Sequence, residues 1–112
     1  MNGTSDVCHI GQIVTATSGT IFAGTVACLE APGGGDPDIN IHSATEGTGV
    51  EDGAISSLTE TLLIDAGDHA ADAFKSLTAF PAANEFLYLT AGATTDADYD
   101  AGKLLIELLG TE

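Results

Sequence analysis

The sequence predicts a mainly β fold: an antiparallel β-sandwich or barrel-like domain with at most one short helix. Three observations carry this expectation. Short runs rich in β-branched and aromatic residues recur along the chain, such as Ile13-Val14-Thr15 and Phe86-Leu87-Tyr88. Glycine- and proline-bearing breakers separate them, the strongest being Ala31-Pro-Gly-Gly-Gly-Asp-Pro-Asp38. Small residues dominate, with 14 glycines and no tryptophan, which suits short strands joined by tight turns. At 112 residues the chain is most simply one domain, 1–112, with the polar residues 1–8 as an N-terminal arm.

The elements follow in order. Residues 9–17 hold Ile10, Ile13, Val14, Thr15 and Thr17 and read as a strand that Ser18-Gly19 breaks. Residues 20–30 read as a second strand, with apolar side chains at both parities. Gly24 in its middle marks a bulge or a close backbone approach. Residues 39–42 alternate as a short strand, 43–53 form a polar loop, and 54–58 and 61–65 are short strand candidates. Residues 69–80 are the one helix candidate: Ala70, Ala71, Phe74, Leu77 and Phe80 fall near helical spacing, Asp68 can cap, and Pro81 stops it. The alternative for this stretch is an extended connection with docked phenylalanines. Residues 85–91 and 103–109 are strands, and the eleven residues 92–102 between them favour an antiparallel pair. In the last strand Leu105 and Leu109 share one face while Leu104, Ile106 and Leu108 share the other. Two apolar faces imply that both are covered, one of them by a neighbouring subunit or by a second sheet.

Charge narrows the function classes. The chain has 17 Asp and Glu against two lysines, Lys75 and Lys103, and no arginine, for a net charge of -15. Nucleic-acid binding needs cations that displace counterions from phosphates, so neither DNA nor RNA is an expected partner. Anionic membrane surfaces are disfavoured for the same reason. No apolar run approaches the ~18 residues of a membrane span. The start lacks the basic and continuous apolar regions of a secretory signal, so the expected setting is a cytoplasm or a particle assembled there. Cys8 and Cys28 form no C-x-x-C pair and read as partly buried thiols; a bridge between the N-terminal segment and the second strand is the alternative.

Reactive constellations are weak. Asp96, Asp98 and Asp100, followed by Gly102 and with Glu107 at the twelfth position, resemble a calcium loop. The glycine falls one place late and a strand follows where a helix belongs, so a solvated hairpin tip with Tyr99 folded onto the core is the plainer reading. The triple glycine before Asp36-Pro37-Asp38 lacks the Gly-Lys-Ser/Thr of a phosphate loop. His9, His42 and His69 with Cys8 show no zinc-ligand spacing. The serines lie in no G-x-S-x-G context. The chain therefore reads as no enzyme, with no cofactor.

Three stretches carry a resemblance: Gly35-Asp-Pro-Asp38 after an early strand; Phe80-Pro-Ala-Ala-Asn84 leading into Glu-Phe-Leu-Tyr-Leu-Thr90; and Ala93-Thr-Thr-Asp-Ala-Asp-Tyr-Asp-Ala-Gly102 running into Lys-Leu-Leu-Ile-Glu-Leu-Leu-Gly110. Their order, over roughly residues 20–110, resembles small virion structural proteins of tailed bacteriophages, most of all head decoration (cement) proteins. The strong acidity and the 69–80 insert depart from that pattern. The resemblance implies a protein that binds the assembled capsid and stabilises it, located on the outer surface of the virion after assembly in the host cytoplasm. Its partners would be the major capsid protein and copies of itself, by analogy as a trimer. The interface candidates are Leu105 and Leu109, with Val7 and Ile10 near the N-terminus. Deleting residues 1–8 is then expected to weaken particle binding without unfolding the domain. The competing expectations are another virion component, such as a head fibre base, a head–tail joining piece or a tail protein, and a cellular β-domain that binds calcium or carbohydrate.

Overall fold

The computed structural model describes residues 7–34, 38–49, 54–64, 69–91 and 99–111. Seven strands carry the fold. They are β1 (Val7–Gln12), β2 (Thr20–Gly33), β3 (Ile39–Ala44), β4 (Glu60–Ile64), β5 (Phe74–Ser76), β6 (Phe86–Ala91) and β7 (Ala101–Thr111). One α-helical turn, α1 (Thr15–Ser18), joins β1 to β2, and a 3-10 turn at Ile55–Ser57 precedes β4. The strands form two sheets, in the orders β1-β6-β3-β4 and β5-β2-β7. Every neighbouring pair is antiparallel. The mainly β, two-sheet expectation holds.

The core lies between the sheets. β2 contributes Ile21 and Val26, and β3, β4 and β6 contribute Ile41, Leu63, Ile64 and Leu87. Ile13 and Leu77 fill in from the connections, and Leu104, Ile106 and Leu108 of β7 pack against the cluster. Burying one such aliphatic side chain stabilises by about 1.5–3 kcal/mol, so this cluster is the main source of stability. Val26 and Cys28 point inward from the middle of β2, and Cys28 is a free, buried thiol whose Sγ lies 3.3 Å from the Glu30 carbonyl oxygen. No bridge therefore ties Cys28 to the N-terminal segment. Of Cys8, the backbone pairing opposite Leu89 is described.

Several expectations need correction. The first strand ends at Gln12, and Thr15–Ser18 turn helically instead of continuing it. The Ser18 hydroxyl donates to the Val14 carbonyl at 3.0 Å, a local bond that competes with strand pairing. Gly19, at φ 67, then reverses the chain into β2. Because Val7 and Cys8 belong to β1, a deletion through residue 8 also removes two rungs of that strand's ladder. The second strand runs on to Gly33, through residues expected to break it. Its ladder with β7 absorbs them as bulges, with register shifts between Cys28/Glu30 and Glu30/Gly33.

Residues 69–80 are not helical. Asp72 has φ 71, its N–H donates to the Cys28 carbonyl at 2.9 Å, and the Leu77 N–H donates to the Gly24 carbonyl at 2.9 Å. β2 leaves backbone groups open on that side, and satisfying them outweighs a loose helical spacing in a segment with few strong helix formers. The extended alternative is correct, but its phenylalanines do not dock: Phe74 and Phe80 stay exposed. Asp68 lies outside the described residues. Of the 54–58 strand candidate, Ile55–Ser57 forms the 3-10 turn.

The last two strands do not pair with each other. β6 is flanked on both sides, by β1 and β3, so both its edges are filled, and β7 crosses to pair with β2 in the other sheet.

Gly24 and Gly110 are among the glycines where an added Cβ would meet a neighbour closer than 3.0 Å. A Cβ on Gly24 would stand 2.9 Å from Leu108 Cδ2 and closer still to Leu77 Cδ1, the close approach expected from its place in mid-strand. A Cβ on Gly110 would run into the backbone carbonyl oxygen of Ser18, which has no rotamer by which to yield. Gly110→Ala is expected to destabilise the domain by about 1–3 kcal/mol, read as a lower urea midpoint at unchanged slope. An unchanged midpoint would show that β7 and α1 do not meet in this way.

Candidate docking surface

The two sheets differ in what covers their outer faces. On the four-stranded sheet, Ala44, Phe86 and Tyr88 point away from the main core and form a second cluster with Ile55 and Leu58. The segment after β3 folds over them and is pinned by hydrogen bonds. The buried Tyr88 hydroxyl donates to the Glu46 carbonyl at 2.7 Å and accepts from the Gly49 N–H at 3.2 Å. The Glu46 carboxylate accepts from the Thr59 N–H at 2.8 Å and from its hydroxyl at 2.7 Å. These bonds to the charged form, the Thr59 hydroxyl first, hold the Glu46 carboxyl below its ordinary value of 4.5.

The three-stranded sheet has no such cover among the described residues. The register lays Leu105, Ala27 and Phe74 side by side in one row and Glu107, Thr25 and Ser76 in the next, with Leu109 beside Ala23 beyond them. These positions face away from the core. Phe74 is 66% exposed, Leu109 55% and Leu105 45%, and Phe80 stands at the margin at 46%. At two bulges of β2 the extra residue is also large and apolar, Phe22 at 53% and Leu29 at 61% exposed. Between Phe74, Phe80 and Leu109 the surface dips into a hollow of about 360 Å³ floored by Gly24 and Leu77. Glu107 is the charge at the centre of this face. So many large apolar side chains exposed on one face make it the candidate for a protein-docking surface.

The expected interface residues divide. Leu105 and Leu109 lie on this face together. Ile10 is exposed at a bulge of β1, on the other sheet, and borders a different apolar hollow with Leu89, Leu104 and Ile106. Val7 pairs opposite Thr90, and its side chain lies outside the description. The sequence reading missed Phe74, because it was read as the inner face of a helix or as docked. Phe22 and Leu29 carry no signal beyond apolarity, since a bulge shifts which parity faces out.

Among the described residues, the other candidates do not gather into one centre. Asp96 and Asp98 lie outside the described residues. The Asp100 N–H donates to the Gly33 carbonyl at 3.0 Å, at the start of the β2–β7 ladder. Glu107 is seven residues further along an extended strand, about 23 Å away, too far to share one calcium ion with Asp100. Glu107 therefore does not stand beside Asp100 as the calcium loop would require. The histidines are separately engaged. His9 stacks 5.2 Å from the Tyr88 ring, His42 Nδ1 lies 2.7 Å from Glu60 Oε2, and His69 Nε2 lies 3.0 Å from the Ile39 carbonyl oxygen. Among the described residues, no group of three or more His, Cys, Asp or Glu gathers as a metal site. The buried Glu85 carboxylate is structural: it accepts from the Ser43 hydroxyl at 3.1 Å and from the Ala82 N–H, closing the turn into β6. Among the described residues, no helix is long and apolar enough to cross a membrane.

No protein-family model matches this chain, and no curated protein or solved structure was found to be similar to it.

The Glu46–Thr59 clasp makes a pH prediction. A carboxyl whose folded value is depressed contributes stability that is present above the unfolded value and lost as pH falls through the folded one. The clasp is therefore complete above about pH 4.5 and opens at lower pH. An NMR titration of the Glu46 carboxyl is expected to show a midpoint below 4.5, and a midpoint above it would mean that Thr59 does not hold it.

Proposed function

We propose that this chain is a virion structural protein of a tailed phage, a decoration or cement protein that docks on the assembled capsid and stabilises it. The observation that carries the reading is the outer face of the β5-β2-β7 sheet, where Phe74, Leu105 and Leu109 stand exposed and uncovered among the described residues. The resemblance of the turn-and-strand order to decoration proteins supplies the class of partner.

The physics of such a role suits this surface. Completing the burial of three half-exposed apolar side chains yields a few kcal/mol, at about 25 cal/mol per Å² of apolar area. Association itself costs about 4–15 kcal/mol, so one docking contact is weak by itself. A shell offers many equivalent sites and neighbours, and multivalency supplies the rest. A protein that binds only the assembled shell stabilises that state by mass action. The face is nearly neutral, with Glu107 its one central carboxylate. The net charge of -15 would keep decorated particles apart.

The chain is expected to co-sediment with capsids of the phage that encodes it, in copies comparable to the major shell protein. Phe74→Asp combined with Leu109→Asp should lower capsid affinity about tenfold or more while leaving the circular dichroism spectrum unchanged. A few copies per particle would instead indicate a joining or tail component. Undiminished binding by the double variant would remove this face from the interface.

A further inference from the structure

We infer that the open edge of β7 is a homotypic interface, at which two copies of this chain pair their β7 strands antiparallel about a two-fold axis at Leu105. The inference concerns an edge, not the outer face, and does not depend on the proposed capsid role.

The four sheet edges are unequal. β5 has three residues and β4 five. β1 is broken by a bulge at Ile10. Short or bulged edges resist pairing with another chain. β7 has eleven residues; the bulges at Phe22 and Leu29 place the extra residue on β2, and past Gly102, which stands at φ 135, β7 stays regular from Lys103 to Thr111. Its other side pairs with no strand among the described residues. It thus presents a long row of backbone donors and acceptors to a partner. Its inward side chains, Leu104, Ile106 and Leu108, pack on the core but are only partly buried, and among the described residues no strand pairs beside them.

Charge complementarity selects the occupant and the register. The chain has two lysines, and one of them, Lys103, lies on β7. Four residues later on the same side is Glu107. In an antiparallel pair of identical strands, opposite residues share a face. Centring the pair on Leu105 sets each Lys103 opposite Glu107 of the partner subunit, twice, and Leu105 opposite its own copy. The same register sets Leu104 beside Ile106 of the partner subunit on the core side. Centring on Lys103 or on Glu107 opposes like charges, and the other centres leave both charges beside neutral residues. Opposite-charge and aliphatic cross-strand pairs favour this one arrangement. Lys103 also lies 3.8 Å from Glu30 of β2 in its own chain, and at 71% exposure its ammonium is free to bridge both carboxylates. Glu107 has neutral Thr25 opposite it on β2, which leaves its other side open to Lys103 of the partner subunit. The pairing is isologous and closes at two copies.

Sedimentation equilibrium at about 0.1 mM, where a micromolar interface is filled, tests this. The chain is expected to have twice its 11.2 kDa mass. Glu107→Lys sets lysine opposite lysine at both ends of the seam and should yield a monomer with an unchanged circular dichroism spectrum. Adding Lys103→Glu to that variant restores opposite charges in swapped positions and should restore the dimer. A monomeric or trimeric wild-type chain, a dimeric Glu107→Lys variant, or a double variant that stays monomeric would each overturn the inference.

Discussion

Val26 of β2 meets Ile41, Leu63 and Leu87 between the two sheets, and the arrangement of the rest follows from keeping that contact dry. β2 is the spine of the narrower sheet and must aim Val26 and Cys28 inward from its centre. Alternation then forces Ala23, Thr25 and Ala27 outward. The inner face can approach closely only because Gly24 leaves room for Leu77 and Leu108. The bulges at either end of this stretch let the strand follow β7 without losing that aim. In doing so they turn Phe22 and Leu29 to the solvent side.

The asymmetry between the sheets links this packing to function. The wider sheet is covered by its own chain: Ile55 and Leu58 close over Tyr88, and Glu46 and Thr59 fasten the cover. The narrower sheet has a similar number of apolar side chains on its outer face and no cover among the described residues. A short domain has few spare segments, and here one was spent on the Tyr88 side. A contact on that side would order its apolar groups at little entropic cost, since strands already hold them in place.

Much of the strand content was legible because it was written in local chemistry. Glu-Phe-Leu-Tyr-Leu-Thr and Lys-Leu-Leu-Ile-Glu-Leu-Leu can be little else than strands, and both are. Gly24 in the middle of a strand was legible as a close approach because only contact explains a missing side chain there. Partnership was not legible. β6 and β7 are neighbours in sequence but belong to different sheets, because both flanks of β6 are filled by strands from the first half of the chain. The 69–80 segment misled for a related reason. Its apolar spacing is compatible with a helix, but the open backbone of β2, far away in sequence, decides its conformation through Cys28 and Gly24. Of the docking face, Leu105 and Leu109 could be read from strand alternation. Phe74 could not, because its facing depends on which strand it joins.

The β2–β7 ladder has a kinetic side. It matches Thr20 with Thr111 and Gly33 with Ala101, partners separated by most of the chain. Loop closure must be achieved before these rungs reward it, and topologies of this kind fold in milliseconds to seconds rather than microseconds. During synthesis β2 emerges early and waits, half-apolar and unmatched, until the last strand leaves the ribosome. A net charge of -15 opposes the approach of another copy during that wait, by plain Coulomb repulsion.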